Sequence, residues 1–354
     1  MPQPTDDPTA PPYRADARVR LTLADVAAAL GVSRTTVSNA FNRPQQLSKA
    51  LREDILAKAR ELGYYGPDPA ARALRSNAIH AVAVVFHHDL RYALSDPPSL
   101  AFLRGVAREL DARQLHLQLI PKLGRRVELG AAFQATADAL IVHAEIDPAL
   151  APEAAAARKP LVLVDAFVAG VTTVGTQDRH GGELAMAHAL RARPDRVLVL
   201  SFPLDPAGRR NALELDVPPP SGYIASERMA GYVQAARAAG YPLDRVDWIE
   251  VDERFPEAAA EALAPWRDRV APGTRLAVVA MSDRMALAAQ PVVAAWTGVE
   301  RAALVGFDDI PAAAPAGLTT VRQDAERKGE LAVQALLDGL TTVLLPVELV
   351  VRDT

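Results

Sequence analysis

Residues 21–65 read LTLADVAAALGVSRTTVSNAFNRPQQLSKALREDILAKARELGYY, and this stretch decides the fold of the amino-terminal region. Thr22 is typical of a helix N-cap with an acidic residue three positions later, and Gly31 is the natural end of the helix that follows. Only one residue separates that glycine from Ser33, which predicts the cap of a second helix beginning at Arg34. Two short helices that meet across a tight turn are typical of a helix-turn-helix.

A third helix is predicted to begin after Ser48 and to end at Gly63. Apolar residues recur at helical spacing in all three helices and predict the face that each helix buries. These residues are Val26, Ala27 and Leu30 in the first helix, Val37 and Phe41 in the second, and Leu51, Ile55, Ala59 and Leu62 in the third. The unit therefore has the size of a small three-helix DNA-binding domain.

Charge is distributed unevenly along the chain. The net charge is −4, yet residues 18–76 contain ten Lys/Arg and only five Asp/Glu. A small basic module beside an acidic body is what binding to a phosphate backbone requires. A chance fluctuation in composition is the alternative explanation.

The second helix is predicted to enter the major groove of DNA with its first residues toward the base edges. Arg34, Thr35 and Asn39 are the candidate base readers, because arginine suits guanine and asparagine suits adenine. The candidates for contacts that hold the phosphates are Thr36, Ser38 and Asn42, and the predicted caps Thr22 and Ser33 complete the set. The alternative is a capped helix pair with a solvated polar face.

From residue 79 onward, short apolar runs alternate with helical stretches, which predicts a parallel sheet with crossover helices. The runs are too many for one comfortable sheet, so two similar lobes with a cleft between them are expected. The predicted strands are 81–86, 115–120, 139–142, 160–165, 172–176, 196–201, 247–251, 275–281 and 302–307.

Composition and missing motifs exclude several classes of protein. The chain has no cysteine, which excludes disulfides and cysteine-ligated zinc, and no apolar run approaches the roughly 18–20 residues that a membrane span needs. Nucleotide-binding glycine loops, metalloprotease motifs and a nucleophile elbow are absent, and the seven histidines are scattered. We therefore expect no catalytic residues, no metal site, no cofactor and no membrane association. The rival interpretations are an enzyme and a transport-type binding protein with the same α/β fold.

The stretch from residue 21 to residue 76 closely resembles the headpiece of the lactose repressor and galactose repressor (LacI/GalR) family. The resemblance is carried by ADVA, GVS, TVS and the following Asn, and by a helix ending in ELGY. It implies a leader over 1–19, an all-α three-helix headpiece over 20–65 and a hinge over 66–77. In this family the hinge folds into a helix on operator DNA and inserts a leucine into the minor groove. Leu74 matches the position of this leucine, and Ala71 matches the neighbouring position that faces the groove. The alternative is that residues 66–77 are a plain interdomain linker.

The resemblance continues to the end of the chain, through segments such as SERMAGYVQAARAAGY, VVAMSDRMALAA, ALVGFDDIP and LTTVRQDAERKGELAVQALLDG. It implies a two-lobed core similar to the periplasmic binding proteins over 78–354, which binds the effector and dimerises. Three strands are expected to cross between the lobes. The first lobe is expected to hold 77–176 and 306–321.

The resemblance also implies effector contacts. Arg228 matches an arginine that contacts the effector in relatives, Asp283 matches an aspartate that accepts hydrogen bonds from it, and Phe255 matches a stacking aromatic; Tyr92 is a further candidate. The alternatives are an exposed ion pair at a helix start for Arg228 and Asp283, and core packing for Phe255 and Tyr92. The chain departs from the family at Ser282, where asparagine is usual, and in two long segments, 87–99 and 203–226.

Together these features predict a cytoplasmic, homodimeric transcription regulator, a repressor, that binds a pseudo-palindromic double-stranded operator. A small-molecule effector between the lobes is expected to control it. A sugar is the first candidate, and a purine or nucleoside is the second.

Overall fold

The computed structural model describes residues 21–64, 66, 79–86, 89–120, 136–143, 159–203, 224–251 and 256–354, with the single residues 133, 152, 154, 156 and 157. The chain divides into two compact units, Met1–Ala78 and Ile79–Thr354. None of the described helices has both the length and the apolar character that crossing a membrane requires.

Over residues 21–64, the amino-terminal unit has three α-helices, α1 (Leu23–Leu30), α2 (Arg34–Asn42) and α3 (Lys49–Glu61), with a 3₁₀ turn at Pro44–Gln46. The predicted caps are confirmed. Thr22 forms a capping box with Asp25, Gly31 ends α1 at φ 64°, and the Ser33 and Ser48 side chains cap α2 and α3. Local sequence therefore determines where each of these three helices begins.

The core of this unit agrees with the predicted apolar pattern except at Leu51. Val26, Val37, Ile55 and Ala59 are buried, whereas Leu51 is 38% exposed, so its predicted inward position is wrong. The first turn of α3 meets α2 through the neighbouring Arg52, whose Nε donates to the Ala40 carbonyl at 3.2 Å. At the first turn of α3 the contact with α2 is therefore a hydrogen bond from Arg52, and not the apolar contact of Leu51 that the spacing predicted.

The second unit contains two six-stranded sheets, which define lobe 1 and lobe 2. The strands are β1 (Ala81–Phe86), β2 (His116–Ile120), β3 (Ala139–His143), β4 (Leu161–Val164), β5 (Thr173–Thr176), β6 (Arg196–Ser201), β7 (Val246–Glu250), β8 (Arg275–Ala280), β9 (Glu300–Asp308), β10 (Thr319–Arg322), β11 (Val343–Leu345) and β12 (Glu348–Val350). In lobe 1 the strand order is β11-β5-β4-β3-β1-β2, and in lobe 2 it is β12-β10-β9-β8-β6-β7. All described pairings are parallel except that of β12 with β10.

Helices pack against both sheets. They are α4 (Leu90–Ala93), α5 (Pro97–Ala112), α6 (Asp178–Arg191), α7 (Ile224–Ala238), α8 (Pro256–Leu263), α9 (Asp283–Ala294) and α10 (Ala325–Asp338), with 3₁₀ turns at Leu243–Arg245 and Ala264–Trp266. Helices α5 and α10 belong to lobe 1, and α6, α7 and α9 belong to lobe 2. All nine predicted strands are present, and the two-lobed α/β fold is confirmed.

Within the described residues the chain crosses between the lobes three times, as expected, but the predicted assignment of 306–321 to lobe 1 is wrong. Strands β9 and β10 pair with each other inside the sheet of lobe 2. Lobe 1 instead receives α10 and β11 from the carboxyl-terminal part. The crossings lie at Gln177, at 323–324 and at 346–347.

The first two crossings have nearly the same sequence. TTVGTQD (172–178) is followed two residues later by GGELA (181–185), and TTVRQD (319–324) is followed three residues later by KGELA (328–332). In each lobe the order of the strands is equivalent, so the two lobes are related as structural repeats.

A pair of glycines brings two helices into backbone contact in each lobe. A Cβ on Gly105 of α5 would lie 1.9 Å from the Glu326 carbonyl oxygen, and a Cβ on Gly329 of α10 would lie 2.1 Å from the Phe102 carbonyl oxygen. In lobe 2, a Cβ on Gly182 of α6 would lie 2.3 Å from the Arg228 carbonyl oxygen, and a Cβ on Gly231 of α7 would lie 2.0 Å from the Arg179 carbonyl oxygen. Only glycine fits at these four positions, because any side chain would collide with backbone atoms.

Candidate DNA-reading helix and ligand cavity

The first turn of α2 presents the predicted base readers. Ser33 Oγ accepts from Thr36 N at 3.0 Å and lies 2.8 Å from the Thr36 hydroxyl, which fixes the start of the helix. Arg34 and Thr35 follow the cap and are exposed. A capped helix whose first residues are free to reach outward has the geometry that major-groove readers use.

The other predicted DNA contacts are more varied in position. Thr22 is exposed, while Ser38 and Asn39 are partly buried along α2. The side chain of Asn42 lies outside the described residues, as do Ala71 and Leu74 of the predicted hinge.

A cavity of about 500 Å³ lies in the second unit, where the carboxyl ends of β4 and β5 meet the first turns of α6 and α7. Ligands of open α/β sheets bind at this edge, outside the carboxyl ends of the strands. Its lining combines residues of both lobes: Asp165, Ala166, Phe167, Thr173, Gly175, Thr176, Gln177, Asp178, Arg179, His180, Glu183, Ile224, Glu227 and Leu344.

Arg228 lies behind one wall of this cavity. Its side chain is only 3% exposed, and Nε donates to Asp178 Oδ1 at 2.9 Å while Nη1 donates to the Met281 carbonyl. The guanidinium carbon lies 3.5 Å from the ring centroid of Phe307. The alternative prediction, that Arg228 forms an exposed ion pair, is therefore wrong. Arg228 does not line the cavity, whereas its partner Asp178 does.

Asp283 is fully buried at the start of α9, so the same alternative is wrong for it as well. Oδ1 accepts from the Thr320 hydroxyl at 2.5 Å and Oδ2 accepts from Ile310 N at 2.9 Å. Burial raises the pKa of Asp283 to about 6, although both hydrogen bonds favour the charged form. Ser282, the departure from the family pattern, supplies the N-cap of α9 through Met285 N.

Asp308, at the end of β9, is an acidic residue that the sequence analysis missed. It has a φ of 112°, and it accepts from Gln323 Nε2 at 2.6 Å. Burial raises its pKa well above 3.8; Arg228 opposes this effect, while Asp283 and Asp96 reinforce it. The arginine and the aspartate predicted from the family pattern therefore both act on Asp308. The sequence did contain a signal for this residue, because in VGFDD an aspartate directly follows the predicted strand 302–307.

Lys328 of α10 is a second missed residue, and it forms a buried ion pair with Asp165. Its Nζ lies 2.8 Å from both oxygens of Asp165 and 2.8 Å from Gln323 Oε1, and the side chains of the pair are 4% and 6% exposed. His143 Nε2 lies 3.2 Å from the same carboxylate. Together with Gln323 and Asp308, these residues form a continuous polar chain from lobe 2 into lobe 1.

Tyr92, a further candidate for effector contact, lies at a contact between the lobes. Arg284 of α9 in lobe 2 donates from Nη1 to Asp96 Oδ1 of lobe 1 at 3.2 Å, and its guanidinium carbon lies 5.1 Å from the Tyr92 ring centroid. Tyr92 also donates weakly to Asp96, at 3.4 Å. The fourth predicted effector residue, Phe255, lies outside the described residues.

Comparison with known proteins assigns both parts of the chain. Residues 22–67 match the family described as bacterial regulatory proteins, lacI family, and residues 209–354 match the periplasmic binding protein-like domain. An HTH-type transcriptional regulator of Mycobacterium tuberculosis is 35% identical over 333 residues, covering 90% of this chain and 91% of the relative.

Two solved structures are similar over nearly the full length of both chains. A LacI-family transcriptional regulator from Corynebacterium glutamicum is 27% identical with a TM-score of 0.66, covering 94% of this chain and 98% of that one. The regulator CelR in complex with cellobiose is 26% identical with a TM-score of 0.60, covering 94% and 99%.

Proposed function

Since the chain belongs to the LacI family of bacterial regulatory proteins and is a DNA-binding transcriptional regulator, we propose that it is a repressor controlled by a small-molecule effector. It acts on DNA in the cytoplasm and has no catalytic activity of its own. The observation that carries the proposal is the capped helix α2, with exposed Arg34 and Thr35 at its start, in the same chain as a cavity lined by two lobes.

The protein binds a pseudo-palindromic operator as a homodimer. Helix-turn-helix proteins commonly place one recognition helix in each half-site, so the two-fold symmetry of the protein is mirrored in the DNA. Arg34, Thr35 and Asn39 read bases, whereas the polar caps Thr22 and Ser33, with Thr36, Ser38 and Asn42, hold the phosphates. Leu74, beside Ala71, enters the minor groove.

Replacing Arg34 with alanine is expected to weaken binding to the preferred duplex by about 10-fold to 100-fold, because a bidentate contact to a base is lost. The preferred duplex is first obtained by selection from random sequences, and affinity is measured by fluorescence anisotropy at fixed salt. Arg60→Ala, which removes another exposed arginine, on α3, is the matched control and is expected to retain sequence preference. Equal losses in the two variants would contradict a reading role for Arg34.

The effector binds in the cavity between the lobes, and a sugar is the first candidate. Support comes from the carboxylate, amide and hydroxyl groups set in a mainly apolar lining, and from the complex of the similar regulator CelR with cellobiose. A purine or nucleoside is the second candidate. Occupancy changes the relation between the lobes and so shifts the population that can hold DNA.

The effector is identified by thermal shift against sugars, nucleosides and purines, because a ligand of the folded state raises its apparent stability. Each compound that raises the melting temperature is then added to the complex with the selected duplex. The expected result is a change in operator affinity with at least one of them. If none of the stabilising compounds alters DNA binding, control by an effector is wrong, although DNA binding itself stands.

A further inference from the structure

A charged contact joins the two lobes at a distance from the crossings. Arg284, the second residue of α9 in lobe 2, donates from Nη1 to Asp96 Oδ1 of lobe 1 at 3.2 Å. The two side chains are 20% and 11% exposed, so solvent screens this ion pair only in part. The guanidinium carbon also lies 5.1 Å from the ring centroid of Tyr92. Lobe 1 thus offers Arg284 a carboxylate and an aromatic ring together.

Both ends of this contact are fixed within their own lobes. Asp96 Oδ2 accepts from Ser99 N at 3.1 Å and from the Ser99 hydroxyl at 2.8 Å at the start of α5, while Oδ1 is directed to lobe 2. In lobe 2, the buried Asp283 precedes Arg284 and fixes the start of α9 by accepting from the Thr320 hydroxyl. A displacement of one lobe against the other therefore changes the distance between Arg284 and Asp96 directly.

The contact and the crossings lie at different parts of the two sheets. The crossings follow β5, β10 and β11, which lie at or next to one edge of their sheets. The contact involves helices that follow β1 in lobe 1 and β8 in lobe 2, three strands from β5 and two strands from β10. Neighbouring strands lie about 4.8 Å apart, so the contact is roughly 10–14 Å from the crossings. A rotation of about 10° at the crossings would then separate the two groups by roughly 2 Å, which breaks the hydrogen bond.

Arg284 compensates a repulsion between the same surfaces. Burial raises the pKa of Asp308 in lobe 2, and the charge of Asp96 in lobe 1 raises it further. The two carboxylates therefore repel each other across the boundary between the lobes. Arg228, the cation that opposes this effect, is already paired with Asp178 within lobe 2. Removal of Arg284 would thus leave Asp96 facing an acidic group of the other lobe.

We propose that Arg284 and Asp96 form a latch that holds the two lobes in the arrangement described here and that must break when the lobes separate. The strength of the latch therefore sets the share of molecules in this arrangement. Its effect on DNA binding rests on the proposed function, in which the relation between the lobes determines the population that can hold DNA.

The test measures the distance between the lobes in the full-length protein. The chain has no cysteine, so Asp111→Cys on α5 and Ala294→Cys on α9 place one spin label on an exposed position of each lobe. Labelled chains are diluted with unlabelled chains, so that pulsed electron paramagnetic resonance reports the distance within one chain. We expect one main distance in the labelled protein and an additional, longer distance in its Arg284→Met variant. The ratio of the longer to the main population is expected to rise at least fivefold, because a charged hydrogen bond is lost.

Two further variants separate the latch from a general loss of structure. Arg196→Met breaks another partly buried ion pair, with Asp247, inside lobe 2, and it is expected to keep the original distance distribution. Asp96→Asn retains a residue that can cap α5 and removes the repulsion from Asp308. Added to Arg284→Met, it is expected to reduce the longer-distance population at least twofold. An unchanged distribution in Arg284→Met, or no such recovery in the double variant, would overturn the proposal.

Operator affinity distinguishes a failure of the latch from a failure of the proposed function. With the selected duplex, Arg284→Met is expected to change the dissociation constant at least threefold relative to Arg196→Met. If the distances change and the affinity does not, the latch stands and control of DNA binding through the lobes is wrong. If the affinity changes and the distances do not, the latch is wrong and the proposed function stands.

Discussion

Replacing Gly329 with alanine is expected to destabilise the second unit by about 3 kcal/mol, which lowers its melting temperature by roughly 6–12 °C. The added Cβ would lie 2.1 Å from the Phe102 carbonyl oxygen and 2.9 Å from Val106 N. These are backbone atoms of α5, so no side chain can turn away, and α5 and α10 must separate along their whole contact. Calorimetric unfolding of the full-length protein measures the loss.

Gly339→Ala is the matched control for Gly329→Ala. Gly339 ends the same helix at φ 72° with no atom within 4 Å of an added Cβ, so alanine there costs only conformational strain, about 1 kcal/mol. If both variants lose the same stability, the backbone contact between α5 and α10 is not what makes Gly329 necessary.

Replacing Lys328 with methionine is expected to cost about 3–5 kcal/mol at neutral pH, because it leaves the Asp165 carboxylate buried without its main cation. Methionine keeps much of the apolar stem, so the loss reports on the charge. Urea unfolding at pH about 7 measures it. The double variant Lys328→Met with Asp165→Asn, which removes the unpaired charge, is expected to recover most of the lost stability.

The pH dependence of Lys328→Met gives an independent check. In the original protein the pKa of Asp165 is below 3.8, so its ion pair contributes stability above that pH and loses it only as the pH falls through the lower, folded-state value. Without Lys328, burial is opposed only by His143, so the pKa of Asp165 in the folded variant is expected to rise above its value in the original protein. The folded variant then takes up a proton at higher pH than the original protein does, so its deficit in stability is expected to narrow as the pH falls from neutral. A deficit independent of pH would mean that packing, rather than charge, is the cause.

Local sequence was sufficient for the helix-turn-helix and for most of the sheet strands. Thr22, Gly31 and Ser33 act on backbone groups within a few residues, so their roles can be predicted without tertiary structure. The exposed Leu51 shows where this reasoning ends, because the spacing of apolar residues does not specify which turn of α3 meets a neighbouring helix.

The ligand cavity was only partly predictable. Arg228 and Asp283 were identified from a family pattern, yet their side chains bond to other parts of lobe 2. Asp178, which lines the cavity, and Lys328, which pairs with the lining residue Asp165, lie just after two crossings. The path of these crossings between the lobes cannot be derived from apolar spacing. The same limitation explains the incorrect assignment of 306–321.

Backbone contact between paired helices determines where the second unit can bend. At the glycine pairs Gly105–Gly329 and Gly182–Gly231, the backbones of the two helices are in direct contact. No side chain lies between them there that could change its rotamer when one helix shifts against the other. Each lobe is therefore expected to turn as a rigid body. All torsional change must then concentrate in the one or two residues of each crossing, at Gln177, 323–324 and 346–347.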